Sequence, residues 1–301
     1  MPMKLIFLGS ALSASYCCGF QSTNLGTYKI YSESLRKKNH HINKIRSKKP
    51  QHAEPLSSGE VLSPEFYKSV YVREVAQNDG ENIIDVFTTP WDNGGRPQPA
   101  IVRAYEDGKL RGRIVDAGCG EGENCIYLAS KFGISSLVGF DFAEGAIGAA
   151  RARVAKMMEG RDDAIFRTVP EFYVGSCTEI AQPGSPLLAR DEGTESPLFD
   201  ASIDSGLLHC LSHADSEEYV RQMARLVKKS GRAFVGCFST ANPDPWQNPR
   251  RLSEDYLKGL FCTENGWEVV DIQETWWSRP PARGSSQGAF CQALWMEARR
   301  L

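Results

Sequence analysis

The sequence predicts an α/β fold: a doubly wound, mostly parallel, seven-stranded sheet with helices on both faces. Three observations carry this. From Glu60 onward, short apolar runs alternate with segments whose apolar residues recur at helical spacing. The first run leads into "RIVDAGCGEGENCIYLA", where three glycines crowd the passage from strand to helix. Over 301 residues, 41% hydrophobic and 24% charged residues fit a globular protein with a sizeable core.

In chain order, residues 1–51 read as a targeting leader rather than as fold. "MPMKLIFLGSALSASYCCGF" places Lys4 before an apolar stretch that ends in small residues. A basic, hydroxylated stretch follows. The pair resembles the two-part plastid leaders of certain algae, with Phe20 at the cleavage motif; a plain secretory signal with a basic tail is the alternative. The apolar run is too short for a stable membrane span.

Residues 52–85 form an N-terminal helical lid region, in which "SPEFYKSVYVREVAQ" opens on Ser-Pro with Glu65 in the first turn. Residues 86–301 form the main domain. "TPWDNGGRPQP" is a loop leading into a helix. "RIVDAG", "SLVGFDFA", a run within "AIFRTVPEFYVGSC", "FDASIDSG", "GRAFVGCFS", "WEVVDIQETWW" and "GAFCQALWMEARR" supply the seven strands. "GENCIYLASKFG", "EGAIGAARARVAKMMEG", "SEEYVRQMARLVKKSG" and "SEDYLKGLFCTENG" supply helices. Ser216 is the expected N-cap of the third of these, with Lys228 and Lys229 near its negative end.

Charge is distributed unevenly. Residues 1–51 hold nine Lys/Arg against Glu33 alone, a balance of +8. The totals of 35 basic and 37 acidic residues leave 26 and 36 for the body, a balance of −10. An acidic body argues against nucleic acid as a partner, since such binding rests on basic surface. The seven cysteines after the leader are scattered without a CxxC pair, which suits a reducing compartment and no structural zinc. No His, Asp and Glu residues have metal-ligand spacing.

Gly118, Gly120 and Gly122 need a reason, because glycine is costly in both strands and helices. In a doubly wound sheet, the first strand-to-helix turn is a ligand site, and glycines there let backbone approach the ligand. Dinucleotide sites favour GxGxxG. Here the spacing is GxGxG, and Glu121 and Glu123 would repel a pyrophosphate while suiting a cation.

"VDAGCGEG" resembles motif I of the class I S-adenosyl-L-methionine-dependent methyltransferases, whose fold is Rossmann-like. The resemblance implies S-adenosyl-L-methionine as cofactor, with Asp116 helping to hold its methionine moiety beside Gly118 and Gly120. It implies Asp141, in "VGFDFAEGAI", on the ribose hydroxyls, where one carboxylate satisfies two donors. Phe142 would flank the adenine. The family often carries an Asp after the third strand; Ser176 and Cys177 stand there instead.

Two further stretches narrow the resemblance. "TPWDNGGRPQP" is similar to a segment of the thiopurine and thiol S-methyltransferases, which implies Trp91 over the sulfonium by cation–π contact; a core tryptophan is the alternative. Where plant thiol methyltransferases carry further tryptophans, this chain has Ile83, Ile84 and Val86. In "FDASIDSGLLHCLSHAD", Asp204, Ser205 and Gly206 are expected to face the transferable methyl. This stretch lacks the Asn/Asp-Pro-Pro-Tyr/Phe of enzymes that methylate bases or Gln. His209 is the nearest candidate general base, or a buried structural histidine. His213 falls in an expected turn. "WWSRPPARGSSQGAF" either walls the acceptor pocket or packs at the sheet edge.

The expected function is methyl transfer to a small-molecule acceptor, with no nucleic acid or membrane span involved. A thiolate or thioether needs no base, so the lack of a base constellation points to sulfur. A methylthio-hydroxy acid on the route to dimethylsulfoniopropionate is a concrete acceptor, with Arg96, Arg279 and Arg283 as candidate carboxylate partners. O- or N-methylation of a small metabolite is the rival within the class. An NAD(P)-dependent oxidoreductase is the rival outside it.

Overall fold

The computed structural model describes residues 61–71, 91, 93–159, 165–188, 198–243, 248–279 and 289–301. All lie in the compact unit Pro55–Leu301. The leader reading of residues 1–51 and most of the 52–85 region lie outside the described residues.

The chain order is α1 (Pro64–Ser69), α2 (Pro99–Glu106), β1 (Gly112–Ala117), α3 (Glu123–Ala129), β2 (Ile134–Asp141), α4 (Glu144–Met158), β3 (Glu171–Val174), β4 (Phe199–Ser205), α5 (His213–Leu226), β5 (Val227–Phe238), α6 (Glu254–Leu260), β6 (Trp267–Arg279) and β7 (Ala289–Arg300). The strands form one seven-stranded sheet in the order β3-β2-β1-β4-β5-β7-β6. The first five are parallel, and β7 runs antiparallel between β5 and β6. The doubly wound, mostly parallel sheet is therefore as the alternation of elements predicts.

Both faces are covered, and consecutive strand residues serve opposite layers. Ile114, Leu137 and Phe234 pack with Ile101 of α2, Leu128 of α3 and Ile147 of α4. Their neighbours Val115, Val138 and Val235 pack with Tyr219 and Met223 of α5 and Leu257 of α6. Trp267 is fully buried and donates from Nε1 to the Val220 carbonyl at 3.2 Å, tying β6 to α5. Among the described residues no helix is long and apolar enough to cross a membrane.

Three local expectations are corrected. The N-cap of α5 is Ser212, whose Oγ accepts the Asp215 N–H at 3.1 Å. Ser216 lies one turn inside, where its Oγ donates to the Ser212 carbonyl at 2.7 Å. Both serines carry an acid shortly downstream; Ser212, with Asp215 three residues on, holds the capping pattern. Lys228 and Lys229 belong to β5, not to the helix end. Ser230, at φ +63°, shifts the register there, and Lys228 pairs with Asp200 across the strands. His213 starts α5 instead of lying in a turn, and its ring stacks on Tyr256 at 5.1 Å.

Candidate active site

A cavity of about 640 Å³ opens at the carboxyl ends of the parallel strands, where doubly wound sheets bind ligands. Its floor is the β1–α3 turn. Gly118, Gly120 and Gly122 all take left-handed φ, +63°, +54° and +82°. Gly118 and Gly120 line the cavity; Gly122 does not and instead caps α3. A Cβ on Gly118 would lie 2.9 Å from Leu207 Cβ, and one on Gly122 would lie 2.8 Å from the Phe172 ring. The turn needs these glycines for packing as well as for ligand access.

Asp141 ends β2 on the cavity wall. Its Oδ1 accepts the Ala143 N–H at 2.9 Å and its Oδ2 the Gly120 N–H at 3.1 Å. Burial raises its pKa, and these N–H groups counter the rise by favouring the anion. Phe142, Gly175, Ser176, Cys177 and Thr178 continue the wall, and Trp91 and Tyr71 close it from the other side. Trp91 Nε1 donates to the Tyr71 hydroxyl at 3.2 Å. Glu121 and Glu123 also line the cavity, but Arg153 of α4 pairs with both, at 3.7 and 2.6 Å. Their repulsion of a pyrophosphate is thus weaker than their sequence positions suggest.

Two expected site carboxylates lie elsewhere. Asp116 is buried beneath the turn and does not line the cavity. Its carboxylate takes Asn124 Nδ2 at 3.3 Å and the Cys125 thiol at 3.7 Å. It acts on the cavity through Asn124, which does line it. Asp204 is equally buried and, like Asp116, does not line the cavity. It accepts the Leu207 N–H at 2.8 Å and the Leu208 N–H at 3.1 Å, and so organises the turn that carries His209. Ser205 and Gly206 do line the cavity.

Burial pushes the Asp116 pKa up to about 8 and that of Asp204 up to about 7. Both exceed the ordinary 3.8, so folding takes up protons there. That stability is complete in acid and is lost as pH rises through about 7 and about 8. His209 works in the opposite sense: burial lowers its pKa from 6.5 to about 3, which costs stability as pH falls below 6.5. The melting midpoint is therefore expected to fall as pH rises through about 7 and 8, with a shallower fall in Asp204→Asn. Calorimetric melts across that range check this.

The other end of the cavity is aromatic. His209 is buried, stacks on Phe238 at 4.6 Å and sits 5.9 Å from the Trp277 ring. Its Nδ1 receives the Phe238 N–H at 3.1 Å. Tyr67, Cys210 and Pro249 complete this end, and Arg96 and Asp215 lie at exposed positions on the lining. Burial raises the Tyr67 hydroxyl and pushes the Cys210 thiol up to about 12, so both stay protonated. Trp277 takes the wall reading of the "WWSRPP" stretch, while Trp276 beside it is exposed. Among the described residues the seven cysteines are free, and no group of three His, Cys, Asp or Glu is placed to hold a metal.

Sequence reasoning missed Tyr67, Tyr71, Phe238 and Thr178. The two tyrosines fall in a stretch whose spacing reads as an ordinary amphipathic helix; Tyr67 lies in α1 and Tyr71 just beyond it, and only tertiary packing turns them toward the cavity. Phe238 looked like any strand-end apolar residue.

A family described as "Methyltransferase domain" matches residues 114–183, which span β1 to the segment after β3. Trans-aconitate 2-methyltransferase of Variovorax paradoxus is 34% identical, with 61% of this chain and 73% of that protein covered. The 2-heptyl-1-hydroxyquinolin-4(1H)-one methyltransferase of Mycobacteroides abscessus is 29% identical, covering 61% of this chain and 70% of its own. A solved structure described as converting a disulfide bond into a thioacetal group in echinomycin biosynthesis superposes with a TM-score of 0.55. It covers 70% of this chain and 84% of its own at 24% identity, a likeness of fold alone. With motif I, the second-strand acid and the sheet order in place, the chain belongs to the class I S-adenosyl-L-methionine-dependent methyltransferases.

Proposed function

We propose that the cavity binds S-adenosyl-L-methionine at its Asp141 end and a small-molecule acceptor at its His209 end. The observation that carries this is the setting of Asp141. Two backbone N–H groups fix its carboxylate on the cavity wall, leaving lone pairs for a pair of ribose hydroxyls. Gly118 and Gly120 give the ligand backbone to lie against, with Phe142, Ser176 and Cys177 along the adenine side. Trp91 offers a ring face to the sulfonium. The acids around this end suit a cationic ligand.

When bound, S-adenosyl-L-methionine supplies an electrophilic methyl group on a leaving group that departs neutral. The protein's part is to align, to exclude water and to match charge. Tyr67, Tyr71, Trp91 and Trp277 enclose the cavity for that purpose. The carboxylates on the lining already hold donors: Arg153 serves Glu121 and Glu123, backbone N–H groups serve Asp141, and Ser212 Oγ serves Asp215 at 2.6 Å. An acceptor that attacks without surrendering a proton to the enzyme suits this lining. Sulfur nucleophiles meet that condition, as does an already ionised oxygen. A methylthio-hydroxy acid would find Arg96 at the exposed rim for its carboxylate. The relatives' named acceptors, trans-aconitate and a hydroxyquinolinone, both carry acidic oxygen.

Calorimetry of the full chain is expected to show saturable S-adenosyl-L-methionine binding. Mass spectrometry of a metabolite extract should then show small molecules that gain one methyl group. No binding at millimolar donor would sink the proposal. The leader reading rests on residues 1–51 alone; a fluorescent reporter fused behind them is expected to reach the plastid of an alga with extra plastid membranes.

A further inference from the structure

His209 is placed to donate a hydrogen bond, not to remove a proton. Its Nδ1 faces the Phe238 N–H at 3.1 Å, and a backbone amide can only donate. Nδ1 is therefore bare, and the proton of the neutral ring sits on Nε2. That atom has no hydrogen-bond partner among the described residues. It lies beside Gly206, 3.2 Å from where a Cβ would stand, and Gly206 itself lines the cavity. The residue is almost wholly buried and lines the cavity, so its Nε2–H is left for whatever occupies the cavity.

The ring cannot easily take a second proton. Phe238 and Trp277 cover it, the Arg250 charge disfavours a cation, and burial disfavours charge altogether. The other titratable groups near its turn offer no relay: Asp204 is held by Leu207 and Leu208, and the Cys210 thiol donates to the Gly206 carbonyl at 3.3 Å. Tyr67 faces Cys210 from α1.

Resting on the cofactor assignment above, we propose that the acceptor is an aromatic or heteroaromatic ring bearing an ionised hydroxyl or thiol, which accepts from His209 Nε2–H. The rings of Tyr67, Phe238 and Trp277 supply flat apolar walls for such a body. Its anionic atom meets His209 Nε2–H, which no group among the described residues takes up. The acceptor's lone pair forms the bond to the methyl carbon as the carbon–sulfur bond breaks toward sulfur. No proton moves, so none has to be removed.

The test uses the full chain and a ladder of nitrophenols and nitrothiophenols of graded acidity. First, without any methyl donor, the absorbance of the bound chromophore is titrated. Wild type is expected to lower its apparent pKa by about one unit, the scale of a charge-assisted hydrogen bond. His209→Phe, which keeps the stacking, should abolish the shift, and His209→Gln, which keeps a donor near Nε2, should restore most of it. Second, the pH profile of kcat/KM with S-adenosyl-L-methionine should track each acceptor's own pKa. A limb at one fixed pH for all acceptors, lost in His209→Phe or Asp215→Asn, would overturn the proposal in favour of an enzymic base. Binding of the unionised chromophore alone would overturn it as well. Failure of the cofactor assignment reads out separately, as absent S-adenosyl-L-methionine binding in wild type with the chromophore shift intact. The hydroxyl and thiol arms show which nucleophile is methylated faster.

Discussion

Replacing Asp141 by Ala is expected to weaken S-adenosyl-L-methionine binding by at least tenfold, and toward a hundredfold. Hydrogen bonds to a charged group contribute about 1.5–3 kcal/mol, and two ribose hydroxyls would lose their shared acceptor. The Ala143 and Gly120 amides lose theirs too, since both currently donate to this carboxylate. Gly120 belongs to the turn that floors the cavity, so its release loosens that floor as well. Asp141→Asn keeps one acceptor oxygen but turns an N–H₂ toward one of those amides, and should fall between wild type and Ala. Titration calorimetry decides; an unchanged affinity in Asp141→Ala would remove the basis for the site.

The second large effect is expected at Gly122. Valine there would have to hold φ at +82°, a region that a β-branched side chain strongly avoids. Its Cβ would also lie 2.8 Å from the Phe172 ring and 3.2 Å from Ala150 Cβ, inside the layer between the sheet and α4. Backbone strain of about 1–2 kcal/mol and overpacking of about 1–3 kcal/mol add because the relief of one worsens the other. A loss of about 3 kcal/mol corresponds to a drop of roughly 10 °C in melting midpoint for a domain of this size. Gly122→Ala carries the strain with less crowding and should lose less. A melting midpoint within a degree of wild type in Gly122→Val would show that the turn does not need its left-handed conformation.

Much of the fold was legible because parallel strands and their helices are local patterns. "RIVDAG" and "SLVGFDFA" declare themselves by apolar runs, and the glycines between "VDAG" and "ENCI" mark the turn that β1 and α3 must share. Boundaries were less legible. Ser212 and Ser216 both look like caps, and choosing between them depends on which one Arg250 and the core bury. Lys228 and Lys229 look like a helix end until Asp200, 28 and 29 positions earlier, draws Lys228 into the sheet.

The site shows the same division. Gly118, Gly120 and Asp141 could be named from the sequence, because a turn without side chains and an acid at the next strand end are features of spacing. That Asp116 and Asp204 lie off the cavity lining could not be read, since burial and capping are not written in a residue's neighbours. The role of His209 depends on a backbone amide 29 residues away that occupies Nδ1 and fixes the proton on Nε2. By itself the sequence determined the sheet, the glycine turn after β1 and the acid at the end of β2, because each follows from short-range periodicity and conformational preference. Only the tertiary structure decided which carboxylates face the cavity, which aromatic rings wall it and which way a histidine can share its proton. Those depend on contacts between residues far apart in the chain, and hydrogen-bond direction and burial are set there.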